Sequence, residues 1–117
     1  MEYLMKNGHY FNRDNSEVWA QDGVYHREDG PAVIMKDGAE LWYKNGRRHR
    51  EDGPASIYSN GDKFWFWNGK RHRKDGPAII FASSGNLYYF EGIKYQNIQN
   101  DLQWRIEVQK IKRQKED

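Results

Sequence analysis

"HREDGPA" fills residues 26–32, recurs unchanged at 49–55, and returns as "HRKDGPA" at 72–78. His26, His49 and His72 therefore stand 23 residues apart, and a fixed period of this length marks a repeat architecture. The step runs well beyond the phrase. Gly46, Gly69 and Gly92 follow it, with Gly23 one period earlier. Trp19, Trp42, Trp65 and Tyr88 form a second column, and Val18, Leu41, Phe64 and Leu87 a third. Phe11, Ile34, Ile57 and Ile80 form a fourth. The turn "KDG" at 36–38 maps onto "SNG" at 59–61 and back onto "RDN" at 13–15. Its last copy, "SSG" at 83–85, brings the glycine one residue late, which predicts a bulge or a longer turn there.

Between the phrases each unit reads as two short strands. "PAVIMK" and "AELWYK" flank Asp37-Gly38, and Asn45-Gly46 follows. Both dipeptides signal hairpins, because a type I′ turn needs φ > 0 at its two central residues. Pro31, Pro54 and Pro77 cannot donate a ladder hydrogen bond, so each marks the start of a strand. The expected fold is mainly β: an antiparallel β-meander repeat sheet with two strands per 23-residue repeat, seven or eight strands in all. The repeats span about 8–29, 30–52, 53–75 and 76–95, the first of them degraded. After Tyr95 the pattern stops, and 96–117 reads as a C-terminal α-helix capped by Asn100 or Asp101, with a Lys/Arg-rich end. Ile98, Leu102 and Ile106 make one apolar stripe on it and Trp104, Val108 and Ile111 another. The whole of 1–117 is read as a single domain.

"WYKNGRRHREDGPA" and "WFWNGKRHRKDGPA" resemble the MORN repeat family over roughly residues 8–95. The family places glycine directly after the histidine, where this chain has Arg50 and Arg73. It is therefore similar to the MORN-like variant of bacterial, phage and giant-virus proteins. The resemblance implies a non-catalytic module that binds proteins or, in some cases, lipids. For a small stand-alone chain it further implies a phage or viral inhibitor that engages a host (defence) protein by surface occlusion, working in the host cytoplasm.

Composition narrows the alternatives. Nineteen Lys and Arg against 17 Asp and Glu leave a net charge of +2, too small an excess to require nucleic acid or an anionic membrane as partner. There is no cysteine, hence no disulfide framework and no thiolate metal site. "MEYLMKNGHYFN" lacks the apolar run of a signal peptide and no stretch approaches ~18 apolar residues, so a soluble cytoplasmic protein is expected. Only 37% of the chain is hydrophobic, yet 15% is aromatic, which predicts a thin core built from rings.

The repeated phrase reads as a construction joint, with His26, Asp29, Gly46, His49, Asp52, Gly69, His72 and Asp75 as structural positions. "HRED" superficially matches a kinase catalytic loop, but the other kinase motifs are missing and one phrase spaced evenly along a sheet cannot converge on a substrate. Equivalent positions two strands apart lie ~10 Å from each other, too far for the histidines to share a metal ion. No catalytic residue, metal or cofactor is expected. For a partner, Phe64, Trp65, Phe66, Trp67, Arg71, Tyr88, Tyr89 and Phe90 are expected to act with Trp104, Val108 and Ile111 of the helix, since they supply more apolar area than a single layer hides. A protein is the expected partner, with a homodimer as the competing way to cover that face and nucleic acid ranked below both. The alternative is an anionic-ligand binder for RNA, nucleotide or lipid headgroup, using an edge of Arg47, Arg48, Lys70, Arg71 and Lys74.

Overall fold

The computed structural model describes residues 7–116. Met1–Lys6, the first half of the segment read above as lacking a signal peptide, lies outside the described residues. The strands are β1 (Gly8–Phe11), β2 (Glu17–Gln21), β3 (Val24–Tyr25), β4 (Val33–Ile34), β5 (Glu40–Leu41), β6 (Tyr43–Lys44) and β7 (Arg47–Arg48). They continue as β8 (Ser56–Ile57), β9 (Lys63–Phe64), β10 (Phe66–Trp67), β11 (Lys70–Arg71), β12 (Ile79–Ile80), β13 (Asn86–Phe90) and β14 (Ile93–Tyr95), before the helix α1 (Asp101–Lys115). Ten strands form one sheet, ordered β1-β2-β4-β5-β8-β9-β12-β13-β14 with β3 on β2, while β6-β7 and β10-β11 are separate two-stranded ribbons. Every pairing is antiparallel and joins sequence neighbours or the next repeat. The meander predicted from the 23-residue period is the observed architecture.

The strand count exceeds the expected seven or eight because the second strands of the two middle repeats break at Trp42 and Trp65, whereas β2 and β13 run on unbroken. Glu40–Leu41 stay in the main sheet while Tyr43–Lys44 turn off into a hairpin with Arg47–Arg48. The bend leaves no orphan backbone group at Trp42. Its N–H donates to the Ala55 carbonyl at 2.6 Å, and its own carbonyl accepts from His49 N–H at 3.1 Å. Trp65 repeats both bonds with Ala78 and His72.

The two turn types differ in a way the sequence reading missed. Asn45-Gly46 (φ 53° and 80°) and Asn68-Gly69 (48° and 83°) have the paired positive φ of a type I′ turn, and Glu91 adopts 49° before Gly92 at the same place. At Asp37-Gly38 only Gly38 is left-handed, with φ 93°. Asp37 instead folds its carboxylate back to accept from Ala39 N–H at 3.0 Å, and Gly38 N–H closes a turn on the Met35 carbonyl at 2.9 Å. The late glycine of "SSG" does not lengthen its loop either. Ile80 faces Asn86 across five residues, as Ile57 faces Lys63, so the glycine shifts within a turn of unchanged length.

The core is three small clusters along the sheet. Val18, Val33 and Leu41 pack under Tyr10, Tyr25, Tyr43 and Tyr58. Ala78, Ile79 and Tyr89 pack with Phe64, Trp65, Phe81 and Leu87. The third cluster, Tyr88, Phe90, Trp104, Val108 and Ile111, attaches the helix to the last repeat. Asn100 is the N-cap, accepting from Gln103 N–H at 2.8 Å, so the first of the two proposed capping residues is used. The Trp104, Val108 and Ile111 stripe, expected to meet a partner, is instead buried against the last repeat. On the other, Leu102 and Ile106 are 64% and 52% exposed.

Candidate functional site

The repeated phrase builds three copies of one device. In each, a guanidinium lies over the tryptophan of the same unit: Arg27, Arg50 and Arg73 sit 3.8, 3.9 and 4.0 Å from the ring centroids of Trp19, Trp42 and Trp65. Nη1 of each arginine donates to the proline carbonyl four residues on, at 3.1–3.2 Å. Nε of Arg27 and Arg50 also donates to Asp29 and Asp52, and this bond holds the Asp52 carboxyl below the usual carboxylate range. On its other side the guanidinium meets the glycine. A Cβ placed on Gly30 would lie 2.7 Å from Cζ of Arg27, and one on Gly53 3.0 Å from Cζ of Arg50. The Gly of "DGPA" is therefore there for close approach.

The histidines fasten each joint to the next hairpin. Nδ1 of His26, His49 and His72 accepts from the backbone N–H of Asn45, Asn68 and Glu91 at 2.9, 3.0 and 2.8 Å. Because a backbone N–H can only donate, the ring proton of each neutral imidazole resides on Nε2. Glu28 and Glu51 face that nitrogen at 2.9 and 3.6 Å in the first two joints. In the third the equivalent residue is Lys74. Burial is the main cause holding the His72 pKa below its ordinary value; Lys74, Lys115 and Lys112 add to the shift and Glu91 opposes it.

The residues expected to meet a partner are divided by the fold. Tyr88, Tyr89 and Phe90 are buried, as are Trp104, Val108 and Ile111 of α1, and all six are spent within the chain. Trp104 also donates its indole N–H to the Arg73 carbonyl at 2.9 Å. Tyr88 donates to Asp101 at 2.9 Å, and burial with this carboxylate pushes its pKa up to about 12. Phe64, Trp65, Phe66 and Trp67 place two rings on each side, as alternation requires. Phe64 and Phe66 lie 6.4 Å apart, while Trp65 lies beneath Arg73 and Trp67 against His49 at 4.5 Å. Trp67 is 45% exposed.

The expected cationic edge is likewise split. Tyr43 pairs with Arg48 and Phe66 with Arg71, whereas Lys44 pairs with Arg47 and Trp67 with Lys70. Neighbouring strand residues point to opposite sides, so Arg48 and Arg71 share the Phe66 side and Arg47 and Lys70 the Trp67 side. Arg48 lies 5.9 and 5.4 Å from the centroids of Tyr43 and Phe66, and Arg71 5.5 Å from that of Tyr89. Arg48 Nε donates to the Tyr43 hydroxyl at 3.3 Å and Arg71 Nη1 to that of Tyr89 at 3.4 Å. Among the described residues neither arginine has a carboxylate partner.

Lys74 belongs to neither row. It lines a groove of about 830 Å³ between the second joint, the third joint and the end of α1, with Trp67, His72 and Lys112. The sequence carried a signal for this groove, the single departure from the repeated phrase, but its meaning depends on where α1 ends. No family model, curated protein or solved structure matches the chain.

Proposed function

We propose that the chain is a non-catalytic, MORN-like repeat module that binds a protein partner through the Tyr43, Arg48, Phe66 and Arg71 side of its hairpin stack. The observation that carries this reading is the contrast between the two sets of polar groups. Those of the repeated phrase are engaged within the chain, each histidine by a backbone N–H and each arginine by a ring and a carbonyl. Arg48 instead lies along the half-buried Phe66 ring and Arg71 over the edge of the buried Tyr89, with no carboxylate partner among the described residues. Tyr and Arg side by side on a rigid strip are the composition in which interface energy concentrates. The resemblance to MORN-like repeats of phage and viral proteins makes inhibition by occluding a host protein's surface the concrete form of this activity.

Paired variants of equal charge test it. Affinity capture from extracts of the cells that make the protein is expected to retain a protein partner with the parent and with Arg47→Ala/Lys70→Ala. Arg48→Ala/Arg71→Ala should bind that partner at least tenfold more weakly while melting as a folded protein. Equal binding by both double variants, or loss only with Arg47→Ala/Lys70→Ala, would overturn the assignment.

A further inference from the structure

In the first two joints the residue two after the histidine is a glutamate whose carboxylate faces Nε2 of that histidine. In the third it is Lys74. Since Nδ1 of His72 is taken by Glu91 N–H, the ring proton is on Nε2, and among the described residues this donor has no acceptor. The cations that act on the ring are Lys74, Lys112 and Lys115. Lys115 is paired with Glu91, while Lys74 and Lys112 have no ion-pair partner among the described residues. A lone donor and two free ammonium groups therefore converge where the other joints hold a carboxylate.

That vacancy opens into the 830 Å³ groove, whose size falls within the ~300–1,000 Å³ of small-molecule sites. Part of its negative lining is neutralised within the chain: Asp52 is held by Arg50 and Glu91 by Lys115. Glu51 faces His49, and Asp75 and Glu116 also line the groove. Trp67 adds a half-exposed ring to the lining, tilted 60° against His49. At the equivalent position of the next hairpin, Phe90 is closed over by Lys115 and α1. Trp67 has no such cover.

We propose that this groove binds a small ring-bearing anion. Its phosphate or carboxylate takes the place of the missing glutamate, accepting from His72 Nε2 between Lys74 and Lys112, and its planar part lies on Trp67. The site is on the opposite side of the hairpins from Arg48 and Arg71, so it is independent of the protein-binding strip.

Lys74→Glu is the decisive variant, because it writes "HREDGPA" into the third joint and two joints already fold with that phrase. Phenyl phosphate, phenylacetate and inorganic phosphate are titrated separately while the His72 ring resonances are followed by NMR. Phenyl phosphate or phenylacetate is expected to shift them saturably, and the tighter of the two identifies the anion. Lys74→Glu should weaken that binding at least tenfold with an unchanged melting curve. Trp67→Ala should weaken phenyl phosphate but leave inorganic phosphate as in the parent. Equal affinity in Lys74→Glu and parent, or no saturable shift with any probe, would overturn the site. Undiminished phenyl phosphate binding by Trp67→Ala would overturn the placement of the ring.

Discussion

Trp104→Ala is expected to lower stability by about 3–5 kcal/mol, the range for deleting a large buried ring. The side chain is fully buried, with its ring 5.3 Å from that of Tyr88 and 5.6 Å from that of Tyr95. Its indole N–H is bonded to the Arg73 carbonyl, so truncation also strands a partly buried acceptor. In a linear repeat array each unit touches only its neighbours, and loss of one end unit need not unfold the rest. Urea denaturation should therefore show the last repeat and α1 melting first, with amide protection lost over residues 86–111 and kept in β2, β4 and β5. Leu102→Ala, on the exposed stripe, should change stability by no more than about 0.5 kcal/mol. A single unshifted transition in Trp104→Ala would mean that the helix is not what closes the sheet.

The second large effect is a coupling. Gly30→Ala should cost about 2 kcal/mol, because its Cβ occupies the space of the Arg27 guanidinium at 2.7 Å. The guanidinium must then shift on Trp19 and against the Pro31 carbonyl, weakening a cation–π contact of roughly 0.5–2 kcal/mol and a charge-assisted hydrogen bond. Arg27→Ala alone removes the same two interactions. In the Arg27→Ala background, Gly30→Ala should be close to neutral, so the double-mutant cycle yields a coupling of about 1.5–2 kcal/mol. Additive effects in thermal or urea melts would place the role of Gly30 elsewhere, in its backbone conformation for instance.

Much of this molecule is legible in its sequence because its decisive features are local and repeated. Asn45-Gly46 and Asn68-Gly69 announce their turns by chemistry, and the 23-residue step carries each turn onto a matching apolar column. Asp37-Gly38 was legible as a turn but not as its type. The same dipeptide serves both turn families, and the carboxylate bond to Ala39 that selects between them depends on loop length. The aromatic surplus was the harder reading. Counting rings on a single layer leaves Tyr88, Phe90 and Trp104 without cover, whereas the return of α1 onto β13 buries all three. Arg47 and Arg48 look like one charged edge in sequence and become two, since alternation sends adjacent side chains to opposite sides. Trp104 and the backbone of Arg73, 31 residues earlier, meet only through the tertiary fold.

The repeated phrase acts as a joint, and its histidines sense whether that joint is closed. For His72, burial holds the folded-state pKa below the 6.5 of the unfolded chain, so the unfolded state binds more protons in the interval between the two. The stability from this joint is thus present above pH 6.5 and is lost as pH falls through that interval. Protonating Nδ1 also removes the acceptor that fixes Glu91 N–H. A pH titration followed by 15N-resolved histidine NMR reads all of this at once. At pH 8, His26, His49 and His72 are each expected to be locked as the Nε2–H tautomer with Nδ1 accepting, and His72 is expected to titrate below 6.5. Rings that average between tautomers, or a His72 that protonates freely near 6.5 in a fully folded protein, would contradict that role of the phrase.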